Sequence, residues 1–110
     1  MTPKEGLAIL KKVRANLPKN PDDWPAAYSE RGCILQQAAR IAGPPRILLI
    51  DNCANVLGLR NARRRAWISD RVDKAVGRVV DAYDNRCKKS LNAALARLEA
   101  AIEQGLKEGA

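Results

Sequence analysis

The stretch "RILLIDNCANVLG", residues 46–58, decides the fold class. Taken alone, its apolar run at 47–50 reads as a buried strand. Ile50, Cys53, Ala54 and Leu57 nevertheless continue at helical spacing, and nothing elsewhere in the chain offers a strand to pair with. Helix is the consistent reading, and it makes the chain all-α.

On the N-terminal side, "TPKEGLAILKKVRANLP" (2–18) opens with a helix-start signal. Thr2 can cap, Pro3 suits the first helical position, and Glu5 completes a reciprocal capping box. Leu7, Leu10, Val13 and Leu17 follow at helical spacing, and Pro18 stops the helix. A loop rich in Pro and Asp comes next, pinned by Trp24 and Tyr28, whose aromatic bodies are expected in the core. "CILQQAARIAG" (33–43) predicts a short helix whose Ile34, Ala38 and Ile41 share a face, closed by Gly43, Pro44 and Pro45.

On the C-terminal side, a long amphipathic helix is expected from Ala66, with Ile68, Val72, Ala75, Val76, Val79, Val80 and Tyr83 as its buried stripe. Gly77 within it disfavours helix by about 1 kcal/mol relative to Ala, which predicts close packing of another helix at that point. "DNRCKK" (84–89) breaks the pattern. Ser90 is expected to cap a last helix carrying Leu91, Leu95, Leu98, Ile102 and Leu106. The expectation is one domain, residues 1–110, folded as a small bundle of about five helices.

Composition limits function. With 46% hydrophobic and 29% charged residues the chain is globular in type, and no apolar run approaches the roughly 18 residues of a membrane span. No signal-peptide pattern follows Met1, so a cytoplasmic, non-membrane protein is expected. The sequence contains no His. That removes the usual general base, the usual metal ligand and the usual partner of a nucleophilic Cys or Ser, so neither an enzyme, a cofactor nor a metal site is expected. Cys33, Cys53 and Cys87 are odd in number and lack CxxC spacing, which suggests buried free thiols.

The net charge of +8 is concentrated in the middle of the chain. Residues 1–55 carry +3, residues 56–89 carry +6 and residues 90–110 carry −1. Within "LGLRNARRRAWISDR" (57–71), Arg60, Arg63, Arg64, Arg65 and Arg71, joined by Lys74, are the candidate binding residues. Three readings stand: phosphate contact with nucleic acid, contact with an acidic protein or ribonucleoprotein surface, or a solvated face. Stacking on single-stranded RNA is disfavoured, because the chain has four aromatic residues and only Trp67 lies among the bases.

Residues 47–71 also have the spacing of a helix-turn-helix. Ala54 and Gly58 stand four apart, Leu59 follows, and Trp67 and "WISDR" fall where a recognition helix would end. Against it, Arg64 occupies the position that should anchor the second helix with a branched apolar residue. Asp84 and Asn85 form a polar pair readable either as functional or as a helix ending, since Asn tolerates left-handed geometry.

Several of these features recur together. Trp24, "RGCILQQAARIAG" (31–43), "LGL" (57–59), "VVDAYDN" (79–85) and a Ser-led last helix with "LEAAI" (98–102) resemble, over most of residues 7–102, a family of small helical bacterial and phage proteins. In that family a Trp, a Gly-Cys or Gly-x-Cys helix start and a Trp-Asn-Asp triplet recur in this order. Here Tyr83, Asp84 and Asn85 stand in place of the triplet. The family carries no assigned activity; the resemblance implies an accessory, often phage-type gene product rather than a metabolic enzyme. On it rests the expectation of a modulator of host defence, such as an anti-CRISPR-type inhibitor.

Overall fold

The computed structural model describes residues 1–26, 32–43, 50–61, 63 and 66–109. These residues form five α-helices: α1 (Pro3–Ala15), α2 (Ile34–Ala42), α3 (Ile50–Val56), α4 (Asp70–Asp84) and α5 (Lys88–Gly109). A 3-10 turn at Pro21–Asp23 and two two-residue strands, β1 (Arg60–Asn61) and β2 (Ala66–Trp67), complete them. The expected all-α bundle is present. Of the deciding stretch, Ile50–Val56 is helical, and 46–49 lie outside the described residues, as do Tyr28, Pro44, Pro45, Arg64 and Arg65.

α4 and α5 form an antiparallel hairpin joined by three residues, so that a β-carbon on Gly105 near the end of α5 would lie 3.1 Å from Ser69 Oγ at the start of α4. α1 packs on α2 and α5, and α2 packs on α3 and α4. The core is the meeting of the apolar stripes: Leu7, Leu10 and Val13; Ile34, Leu35, Ala38 and Ala39; Cys53, Ala54 and Leu57; Val72, Val76 and Val79; Leu91, Leu95, Leu98 and Ile102. No polar or charged residue is buried among those described. Full burial of each large side chain contributes about 1.5–3 kcal/mol, which is how helices as short as α3 are held in place.

The start of α1 follows the sequence closely. Glu5 N–H donates to Thr2 Oγ1 at 3.2 Å and Thr2 N–H to Glu5 Oε1 at 3.4 Å, the two halves of the capping box. Gly6, one residue on, meets the end of α3: a β-carbon there would stand 1.8 Å from the Leu57 carbonyl oxygen, so no other residue fits this crossing.

The structure corrects several sequence expectations. α4 begins at Asp70, not Ala66, because Ser69 Oγ accepts from Val72 N–H at 3.2 Å and caps it. A β-carbon on Gly77 would meet nothing within 4 Å; the residue faces solvent, and no helix crosses there. α5 begins at Lys88, so Ser90 lies inside it and Cys87 takes the cap position, its carbonyl accepting from Leu91 N–H. Ile41 is 57% exposed, because α2 buries the face carrying Leu35 and Ala39 beside Ile34 and Ala38; Leu106, near the open end of α5, is 40% exposed.

The helix-turn-helix expectation over residues 47–71 is overturned by the backbone between α3 and α4. Gly58, at φ 73°, ends α3 with Leu59 N–H bonded to Ala54 O and Gly58 N–H to Asn55 O, a Schellman ending. Leu59 then plunges into the core, and Arg60 and Asn61 pair antiparallel with Trp67 and Ala66. A recognition helix would need these residues; they are extended instead. "WISDR" spans the second strand and the cap of α4 rather than the end of a helix.

The far end of α4 repeats the Schellman geometry with a different residue. Arg86 N–H bonds Tyr83 O, Cys87 N–H bonds Ala82 O, and the left-handed position is taken by Arg86, at φ 54°, while Asn85 stays right-handed. A left-handed non-glycine residue costs about 1–2 kcal/mol. The Arg86 side chain offsets that cost, because its Nη1 reaches the carbonyls of Pro21 (2.7 Å), Asp22 (3.1 Å) and Trp24 (2.8 Å) and locks the 3-10 turn against the helix end. Trp24, buried as expected, stacks on Tyr83 with centroids 5.4 Å apart and donates from Nε1 to Pro18 O at 2.8 Å. Tyr83 donates to Pro25 O at 2.5 Å and accepts from Gln37 Nε2 at 3.1 Å. Asp84 and Asn85 thus belong to a helix ending built by their neighbours.

Candidate functional site

The hairpin between Leu59 and Ser69 stands at the N-terminal end of α4 and carries the candidates Arg60 and Arg63. Arg60, half-buried, lies directly across the two strands from Trp67, its guanidinium 5.6 Å from the ring centroid. That cation–π contact fixes the side chain on the hairpin surface. Arg63 is exposed at the tip, where its N–H donates to Asn61 Oδ1 at 3.0 Å and sets the turn. Arg64 and Arg65 lie outside the described residues.

Arg71 and Lys74, the remaining candidates, are exposed on the first turns of α4. At 100° per residue, Arg71, Lys74 and Arg78 fall on one flank of the helix, while Asp70, Asp73 and Asp84 fall on the other and Asp81 lies between. The helix is acidic in total, yet its charge is sorted by face. The acids of the first turn, Asp70 and Asp73, also suit the positive end of the helix dipole.

Arg78 stands outside the candidate residues read from the sequence, although its i+4 spacing from Lys74 and i+7 spacing from Arg71 places it on their flank. Conversely, the middle of the chain owes part of its charge to Arg86, which the fold consumes in holding three carbonyls. Charge counted along the chain does not separate these two kinds of arginine.

The three thiols differ. Cys33 and Cys53 are buried and free, and burial raises both above the ordinary thiol range, Cys53 to about 11. Cys87 departs from the expectation of a buried thiol. It is only partly buried at the start of α5, and hydrogen bonds from the Ser90 hydroxyl and then the Ser90 amide hold its thiol below the ordinary value. Among the described residues, no three Cys, Asp or Glu side chains gather in a way that could hold a metal ion. No helix among them is long and apolar enough to cross a membrane.

Set beside family models, curated proteins and solved structures, the chain matches none, and the functional reading rests on its own residues.

Proposed function

We propose that this chain is a non-enzymatic binding protein that engages nucleic acid, or a complex that handles nucleic acid, through the hairpin and the basic flank of α4. The observation that carries the reading is the sorting of charge on α4. Arg71 and Lys74 share an exposed flank, next to a hairpin that exposes Arg63 and holds Arg60 on Trp67, and Asp73 falls on the far side of the helix from Arg71. The helix dipole accounts for Asp70 and Asp73 in the first turn, but it disfavours Arg71 and Lys74 there, and these two bases beside the hairpin arginines suit contact with a polyanion.

The test is direct binding of the full chain to a fluorescein-labelled mixed-sequence oligonucleotide, single-stranded and duplex, across a salt series. Replacing Arg63 and Arg71 together by Gln is expected to weaken binding equally for all sequences and to flatten the salt dependence by about 0.7 log–log units per lost contact on a single strand, or about 0.9 on a duplex. Unchanged affinity and slope in that variant, or no binding by the parent chain to either probe, would defeat the reading.

A further inference from the structure

Between α4 and α5, near their joined end, lies an open groove of about 320 Å³. Arg78 of α4 and Arg97 of α5 both line it, and both are exposed. Its other polar lining groups are Asp81, Asn85 and Ser90, and alanines make up the rest. The antiparallel register that sets Gly105 beside Ser69 brings residues 78 and 97 to the same level, so the two arginines stand on opposite walls.

Among the described residues the one ion pair is that of Lys11 with Glu99, on the α1 side of α5, so neither groove arginine is tied to a carboxylate there. Lys74 and Arg71 continue the Arg78 flank toward the hairpin, about 6 Å and about 10 Å further along the α4 axis at 1.5 Å per residue.

We infer that this groove is a seat for the phosphodiester backbone of a nucleic-acid strand, with phosphates held between Arg78 and Arg97 and the strand running along Lys74 and Arg71 toward the hairpin. Guanidinium groups on two walls can hold one phosphate from both sides through charge-assisted hydrogen bonds. The alanine floor leaves room for the sugar edge. Ser90 and Asn85 add neutral polar groups at the closed end, and Asp81, the one acid lining the groove, opposes an anion placed beside it. The groove therefore makes two predictions of opposite sign, one for its cations and one for its acid. The inference rests on the nucleic-acid reading above and extends it to a surface that the hairpin residues do not include.

The experiment uses the same fluorescein-labelled oligonucleotides with three variants of the full chain, each checked by circular dichroism for parental helicity. Replacing Arg78 and Arg97 together by Gln should lower affinity at least tenfold and flatten the salt slope by about 0.7 to 0.9 log–log units per lost contact. Asp81→Asn should tighten binding severalfold. Arg63→Gln, on the hairpin, reports on the earlier reading by itself. If Arg63→Gln weakens binding while the Arg78/Arg97 variant and Asp81→Asn match the parent, the groove inference is wrong and the hairpin reading survives. If the parent binds neither oligonucleotide, both fall. Binding of poly-glutamate in preference to either oligonucleotide would assign the groove to an acidic protein and overturn the phosphodiester seat.

Discussion

The two ends of α4 are built from the same parts and put to different use. Each adjoins a Schellman ending, each has a tryptophan beside it, and each carries arginine. At the C-terminal end Trp24 is buried on Tyr83, and Arg86 spends its guanidinium on three backbone carbonyls. At the N-terminal end Trp67 is only half-buried, Arg60 rests on its ring, and Arg63 reaches solvent. One end locks a distant turn to the helix, and the other carries the surface proposed above for binding. What separates them is where each side chain's hydrogen-bonding capacity goes, which is a tertiary property.

The sharpest way to break this comparison is to truncate the two tryptophans. Trp24→Ala removes a buried indole, its stack and its bond to Pro18 O, and should destabilise by about 3–5 kcal/mol in urea unfolding. Trp67→Ala loses the cation–π contact and the part of its indole packed on the core, and should cost about 1–2 kcal/mol, less than Trp24→Ala. Equal losses would mean that the hairpin end is as structural as the other.

Next in size is Arg86. Arg86→Ala loses the charge-assisted bonds to Pro21, Asp22 and Trp24 while keeping a β-carbon at φ 54°, and should cost about 2–3 kcal/mol. Arg86→Gly loses the same bonds but relieves the left-handed strain, so it should be about 1 kcal/mol less damaging. If alanine and glycine are equivalent in thermal melts, the backbone at 86 is not strained and the proposed trade is wrong. Gly58 gives the control at the other Schellman ending: Gly58→Ala gains no side-chain bond, and its β-carbon would meet the Met1 carbonyl oxygen at 2.5 Å.

The same contrast marks what a linear reading can reach. The capping box of Thr2 and Glu5 and the stripes of α1, α4 and α5 were legible because each depends on residues within a turn or two of one another, and the burial of Trp24 because a large aromatic body in a small domain seeks the core. The hairpin was not: strands of two residues fall below any window in which alternation can be seen, and the arginines and alanines around Asn61 carry no strand preference. The cap of α5 was misplaced by three residues because Cys87 is an uncommon cap and Ser90 a common one. Of the candidate site, Arg71 and Lys74 could be placed on a helix surface from sequence. The position of Arg97 opposite Arg78 could not, since it follows from the register of two packed helices. Nothing in the sequence sets Arg86 apart from the other bases, because its partners lie more than 60 residues away.

Alkaline pH separates the thiols. Burial holds the Cys53 thiol at about 11 in the folded chain against an ordinary 9.0, and Cys33 and Tyr83 are raised by burial as well. The folded state therefore keeps protons that the unfolded chain releases. The stability from Cys53 is complete below pH 9 and is lost as pH rises toward 11. The urea midpoint should fall across that interval, and Cys53→Ala should make the fall shallower. Cys87 is shifted the other way, its thiol held below the ordinary value by Ser90, and should react with a thiol reagent in the native state well before the other two. Ser90→Ala should slow that labelling at neutral pH. Simultaneous labelling of all three thiols would show that the region around Cys33 and Cys53 opens more readily than its packing implies.

The smallest expected effect is the most useful for function. Arg63→Gln removes the same unit of charge as an Arg86 substitution, but its side chain holds no carbonyl among the described residues, and the turn it occupies is set by its backbone N–H on Asn61 Oδ1, which glutamine keeps. Stability should stay within about 0.5 kcal/mol of the parent, as for an exposed surface position. Changes in charge–charge repulsion at an exposed position are small in water at physiological salt, where the Debye length is about 8 Å. A loss of oligonucleotide binding in this variant can then be assigned to the missing contact, with no correction for unfolding. A shift well beyond 0.5 kcal/mol in the urea midpoint would place Arg63 among the structural arginines with Arg86, and the division between the two ends of α4 would fail at the residue chosen to represent the free end.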